Sequence, residues 1–119
     1  IYTLLVNRIV MKHKITLPQL KKYDITQKVI MALADAESRV ILFSIIRKGK
    51  TASDLSGSLK IPLSSVYKKL SDLENLTLVR VEKTILSEKG RRFKIYRSRI
   101  NKAEISIKKP EPTLSLSAN

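Results

Sequence analysis

The chain has 119 residues, no Cys, 24 Lys plus Arg against 10 Asp plus Glu, and a formal charge of +14. That length suits one domain with short extensions rather than two separate cores, and the lack of Cys excludes disulfides and thiolate metal sites and suits a reducing cytoplasm. A like-charge excess of this size opposes compaction and a polyanion relieves it, so nucleic acid is the first expected partner, ahead of an anionic membrane or an acidic protein.

Ile1–Val10 is partly apolar, but Asn7 and Arg8 interrupt it and it is far too short to span a membrane. Ile1 is an unusual first residue, and Met11 leads the polar stretch Lys12-His13-Lys14, so residues 1–10 read as an upstream mis-translation or a fragment edge. Residues 1–25 are taken as an amino-terminal extension available for dimerisation, within which Pro18 opens a short helix through Leu20 to Tyr23.

From Ile25 to Lys48 the apolar residues recur at helical spacing, first Val29, Ile30 and Leu33, then Val40, Ile41, Leu42, Phe43, Ile45 and Ile46. Two helices fit this run. Asp35, with Ser38 three positions on, caps the second, and Thr26 is expected to cap the first. Gly49 reads as the terminator. Thr51-Ala-Ser-Asp54 has the form of a capping box, which starts a helix at about Ala52 carrying Leu55 and Leu59 on one face. Lys60-Ile61-Pro62 turns the chain into a helix from Pro62 to about Asn75. The apolar stripe there is Leu63, Val66, Leu70 and Leu73, which directs Ser64, Lys68 and Ser71 outward.

Beyond Asn75 the period changes to two. Leu78–Ile85 and Arg92–Arg99 read as strands joined by the turn Ser87–Gly90, with Phe93 assigned to the core and Tyr96 to core or interface. Residues 101–119, with Ile105, Ile107, Pro110 and Pro112, are expected as an edge strand or a disordered tail. The domain proper is then 26–100. Four helices followed by a two-stranded hairpin make a mainly α, α+β fold, the order of a winged helix-turn-helix.

Charge follows this division, because residues 47–102 hold 15 of the basic and 5 of the acidic side chains. In a helix-turn-helix the second helix offers its outer face to base edges, which makes Ser64, Ser65, Tyr67 and Lys68 the candidate readers. Lys60 and Lys69 stand nearer phosphates, and free N–H groups at the helix start suit a phosphate oxygen. Lys89, Arg91, Arg92 and Lys94 lie in or beside the projecting turn, where flanking phosphates or a minor groove would receive them. Each set also has a plain reading: exposed Ser and Lys cover most helices, a charged hairpin discourages edge-to-edge pairing, and Tyr67 packs on the turn as readily as on a base.

Leu33-Ala34-Asp35-Ala36-Glu37-Ser38-Arg39-Val40-Ile41-Leu42, Ile61-Pro62-Leu63-Ser64-Ser65-Val66-Tyr67-Lys68-Lys69-Leu70, Leu73–Val79 and Gly90-Arg91-Arg92 resemble, in that order, the core helix, recognition helix, exit and wing turn of the arsenic-repressor-like (ArsR) winged-helix transcription regulators. The resemblance spans about residues 27–100. It implies a cytoplasmic, nucleoid-associated homodimer on double-stranded DNA, acting as a repressor at a two-fold operator. Two departures stand out. Thr77 occupies the place of the family's usual Gly, which makes Asn75 the expected left-handed residue. The segment Thr51–Leu59 lacks the Cys of metal-sensing members, so arsenic or cadmium sensing by thiolates is ruled out.

A lone His13 with no clustered carboxylates is a poor metal site, and no Ser-His-Asp set or phosphate-cradling Gly loop is present, so neither cofactor nor enzyme activity is expected. Two alternatives to a sequence-specific regulator stay open. One is a non-specific chromatin or RNA-binding winged helix. The other is a protein-interaction module of a larger assembly. No small-molecule effector is legible.

Overall fold

The computed structural model describes the backbone of residues 17–119 and the side chains of residues 25–119, so Ile1–Val10 and His13 lie outside the described residues. The fold is α+β. Four helices, α1 (Leu17–Ala34), α2 (Ala36–Ser44), α3 (Ala52–Leu59) and α4 (Leu63–Asn75), precede four strands, β1 (Val79–Leu86), β2 (Arg92–Ser98), β3 (Ile100–Ser106) and β4 (Thr113–Ala118). The strands form two antiparallel hairpins, β1–β2 and β3–β4.

One continuous α1 replaces the short helix and Thr26-capped helix expected from the sequence. Pro18 sits in its first turn, where the missing N–H leaves no bond unmade. Thr26 is therefore mid-helix and buried, and its Oγ1 has no hydrogen-bond partner among the described residues. It shares the core-facing stripe with Val29 and Leu33, a place for its β-branched shape rather than its hydroxyl. The helix also runs through residues 25 and 26, where the extension was expected to meet the domain.

At the α1–α2 break the expected cap forms: Asp35 accepts from Ser38 N at 3.0 Å and Ser38 Oγ at 2.7 Å. Arg39 Nη1 closes the other side by donating to the α1 carbonyls of Leu33 and Ala34. Helix α2 stops at Ser44, short of Lys48, because tertiary partners claim the following carbonyls. Ser98 N–H donates to Ile45 O, and Arg97 Nε donates to Ile46 O.

Gly49 accordingly does not terminate a helix. It lets the chain run against β2, where Lys50 and Tyr96 exchange both backbone bonds. A Cβ at Gly49 would lie 2.6 Å from Ile95 Cγ2 and 2.9 Å from Glu82 Oε1.

The Thr51–Asp54 capping box is complete, and α3 starts at Ala52 as expected. Lys60 ends it in the left-handed conformation at φ 57°, with Ile61 N–H reaching back to Ser56 O. Helix α4 seats Val66, Leu70 and Leu73 in the core, each worth roughly 1.5–3 kcal/mol of apolar burial. Leu63, expected on that stripe, is 41% exposed, because the first turn overhangs the core edge.

The exit from α4 corrects the choice of left-handed residue. Asn75 is helical, and Thr77 takes φ 62°. Leu78 N–H bonds Leu73 O at 2.9 Å and Thr77 N–H bonds Glu74 O at 2.9 Å, the paired closure of a Schellman turn, which places the positive φ at residue 77.

The carboxy-terminal segment, expected as an edge strand or disordered tail, forms the hairpin β3–β4. Across the bend at Arg99, Ser98 Oγ donates to Ile100 O and accepts from Ile100 N–H, and Ile100, Leu114 and Leu116 enter the same buried cluster as Ile41, Leu42, Ile45 and Leu55. Leu114 and Leu116 alternate with exposed Ser115, so β4 has one inward face. Tyr96 is core, whereas Phe93 is only half-buried, opposite exposed Ile85 where the hairpin leaves the core.

Two substitutions follow. Thr77→Gly should raise the unfolding free energy by roughly 0.5–1 kcal/mol by removing the left-handed strain on a β-branched residue, measured as a higher urea midpoint at unchanged slope. Thr26→Val keeps the shape and removes an unsatisfied buried hydroxyl, so it should stabilise by about 1 kcal/mol in the same assay.

Candidate nucleic-acid interface

Helices α3 and α4 pack together across the Lys60–Pro62 turn, which Ser56 Oγ tightens by donating to Ile61 O at 2.6 Å. Pro62 precedes α4 at φ −53° and ψ 138°, makes no side-chain cap, and no acidic residue lies in the first turn. The first N–H groups of a thirteen-residue helix are thus left without a side-chain acceptor, next to exposed Lys60.

Burial of Val66, Leu70 and Leu73 turns Ser64, Tyr67, Lys68 and Ser71 outward on α4. Tyr67 is 51% exposed and belongs to this face rather than to the core. Lys68 pairs with Asp72 at 3.8 Å, but both side chains are well exposed, and such an i, i+4 pair gives way readily to a stronger anion.

Two of the expected contact residues point elsewhere. Lys69 is half-buried and donates to Asp35 Oδ2 at 2.8 Å, with Glu37 Oε1 at 3.6 Å, so its charge is met inside the protein rather than offered to a phosphate. Ser65, one turn before it, is half-buried on the same flank and lines the groove between α1 and α4, at whose edge the exposed Lys68 also stands. The reason is the 3.6-residue period, which puts residues 65 and 69 on the flank of the helix facing α2. Sequence alone did not show that Asp35 would stand there.

The electrostatics of this pair are directional. Hydrogen bonds from Lys69 first, then from the Ser38 hydroxyl and N–H, hold the Asp35 carboxyl down to about 2. The bonded carboxylate in turn raises the Lys69 ammonium above its usual range. Burial pushes the Tyr96 phenol up, with Glu74 and Tyr67 adding to the effect.

The second basic surface is the β1–β2 hairpin. Its tip is closed by Ser87 N–H to Arg91 O at 2.7 Å and Gly90 N–H to Ser87 O at 3.0 Å, with Gly90 at φ 78°. Lys89 and Arg91 are exposed on this turn, and Arg92 and Lys94 are exposed on β2 opposite Leu86 and Thr84. Lys83, not singled out from the sequence, is a further exposed cation opposite Ile95. The signal available in the sequence was that Lys83 interrupts the apolar alternation of Val79, Val81 and Ile85.

Among the described residues no group of His, Asp and Glu could hold a metal ion, and no helix is long and apolar enough to cross a membrane. The sequence matches no protein-family model and no curated protein.

The Asp35–Lys69 link carries a pH signature. Because the folded carboxyl titrates below its ordinary value of 3.8, its stabilising contribution is present above about pH 4 and is lost as pH falls toward 2. Carbon-detected NMR should give an Asp35 midpoint near 2 that moves up toward 3.8 in Lys69→Met, and Asp35→Asn should flatten the acid limb of Tm against pH.

Proposed function

We propose that this chain is a DNA-binding transcription regulator of the winged helix-turn-helix kind, similar to the arsenic-repressor-like regulators, most simply a repressor that blocks a promoter as a homodimer on a two-fold site. One observation carries the reading: a helix pair joined by a tight turn is followed by a basic hairpin, and the second helix leaves an outward face of Ser64, Tyr67 and Lys68 and an uncapped N-terminus.

In this reading α4, about 20 Å long, lies in the major groove, which is about 12 Å wide. Lys68 bonds guanine acceptors, and Ser64 and Tyr67 touch base edges or backbone oxygens. Lys60 and the free N–H groups of the first turn take a phosphate. The hairpin lies alongside, with Lys89, Arg91, Arg92 and Lys94 on flanking phosphates or in a minor groove. Lys69 has no part in the contact: it fixes the bearing of α4 through Asp35. The charge of +14 supports fast, salt-dependent association with a polyanion.

Selection of bound sites from random duplexes by the purified chain tests the proposal, and a two-fold sequence should emerge; enrichment of no sequence would sink the specific reading and leave non-specific binding. Lys68→Ala should relax base preference, while Arg91→Ala should weaken binding to every duplex and lower the slope of log K against log salt by about one. Lys60→Gly separates binding from folding. It removes left-handed strain and a cation together, so affinity should fall while the urea midpoint rises.

A further inference from the structure

Where the β1–β2 hairpin meets the carboxy-terminal strand there is a cleft of about 290 Å³ lined by Arg80, Arg97, Ser98, Arg99, Ala118 and Asn119. Arg80 and Arg97 are direct cross-strand partners, a placement in which like charges repel. A single carboxylate side chain, Glu82, serves both, at 2.7 Å from Arg97 Nη1 and 3.6 Å from Arg80 Nη2. Arg99 is exposed, and among the described residues only its backbone is bonded, to Leu78 O and from Asn119 N–H.

Two backbone carbonyls bordering the cleft are already in use. Ile46 O receives Arg97 Nε at 2.9 Å and Asn119 Nδ2 at 2.7 Å, and Ser98 O receives Asn119 Nδ2 at 2.9 Å. Among the described side chains around the cleft, three arginines stand against the single carboxylate of Glu82. The bonds from Arg97 and Asn119 hold the walls in place, so the donors do not have to be assembled when an anion arrives. Along β2, Arg97 lies on the face opposite Arg92 and Lys94, so the cleft is not a continuation of the hairpin surface assigned to DNA.

We propose that the cleft formed by Arg80, Arg97 and Arg99 is a binding site for a phosphate group, held by the forked N–H donors of guanidinium that match phosphate oxygens in pairs. The site does not depend on the reading of α4, and its source of phosphate is either a small phosphorylated molecule or a nucleic-acid backbone.

Thermal-shift titration of the full chain with sodium phosphate and sodium pyrophosphate, against sodium chloride at matched ionic strength, tests this. Phosphate and pyrophosphate should raise Tm beyond chloride. Arg99→Gln and Arg80→Gln should each weaken the apparent affinity roughly tenfold, while Lys108→Gln, at an exposed cation outside the cleft, leaves it unchanged. Arg97 is kept, because it also anchors β2 to Ile46. An effect of phosphate no larger than that of chloride, or wild-type affinity in both arginine variants, overturns the proposal.

The same variants, titrated with duplex DNA across salt, identify the source. A slope lower by about one per arginine assigns the site to the backbone; an unchanged slope with phosphate binding lost assigns it to a small molecule. Failure of DNA selection would leave the phosphate titration fully interpretable.

Discussion

Three donors from two helices converge on one carboxylate oxygen of Asp35: the N–H and hydroxyl of Ser38, which start α2, and the ammonium of Lys69, which belongs to α4. The orientation of α4 depends on this point. Val66, Leu70 and Leu73 press the helix onto the core and set which of its side chains face outward. A charge-assisted bond at one flank then ties α4 to the α1–α2 corner. Arg39, closing the end of α1 from the same junction, makes the α1–α2 corner rigid enough to serve as the reference.

A second set of bonds does the same for the hairpin. Ile45 O, Ile46 O and both backbone groups of Lys50 are taken by Ser98, Arg97, Asn119 and Tyr96. Strand β2 is thereby held between β1 and the segment after α2, and Gly49 permits that approach by having no side chain. Beyond Tyr96 the hairpin leaves the core, and its side chains become exposed toward the turn. Rigid base and solvated tip are what a projecting contact element needs: its cations reach outward while its register stays set.

The two basic surfaces therefore differ in kind. Around the hairpin turn the cations are exposed and independent, suited to a partner that is itself extended and repetitive. In the cleft by Arg99 they are crowded, partly immobilised and short of counter-charge, suited to a compact anion. The repulsion between Arg80 and Arg97 is tolerated because Glu82, the extra residue of the β1 bulge, is placed beside both.

The features that the sequence by itself determined are local ones. The caps at Asp35 and Thr51, the turn through Lys60 to Pro62, the extent of α4 and the alternation of β2 rest on hydrogen bonds within four residues or on one element's own period, so their signals lie in adjacent letters. The outward face of Ser64, Tyr67 and Lys68 was legible for the same reason. What only the tertiary structure decided involves partners distant in the chain. Lys69 looked free because Asp35 is 34 residues away, α2 looked longer because Ser98 and Arg97 are absent from its neighbourhood in sequence, and the β3–β4 hairpin read as no more than an edge strand or a tail because Ile105 and Ile107 face out while Leu114 and Leu116 reach a core built by other elements. Thr77 takes the left-handed position against its own preference, since the bond pair from Thr77 and Leu78 back into α4 can close only with that residue turned.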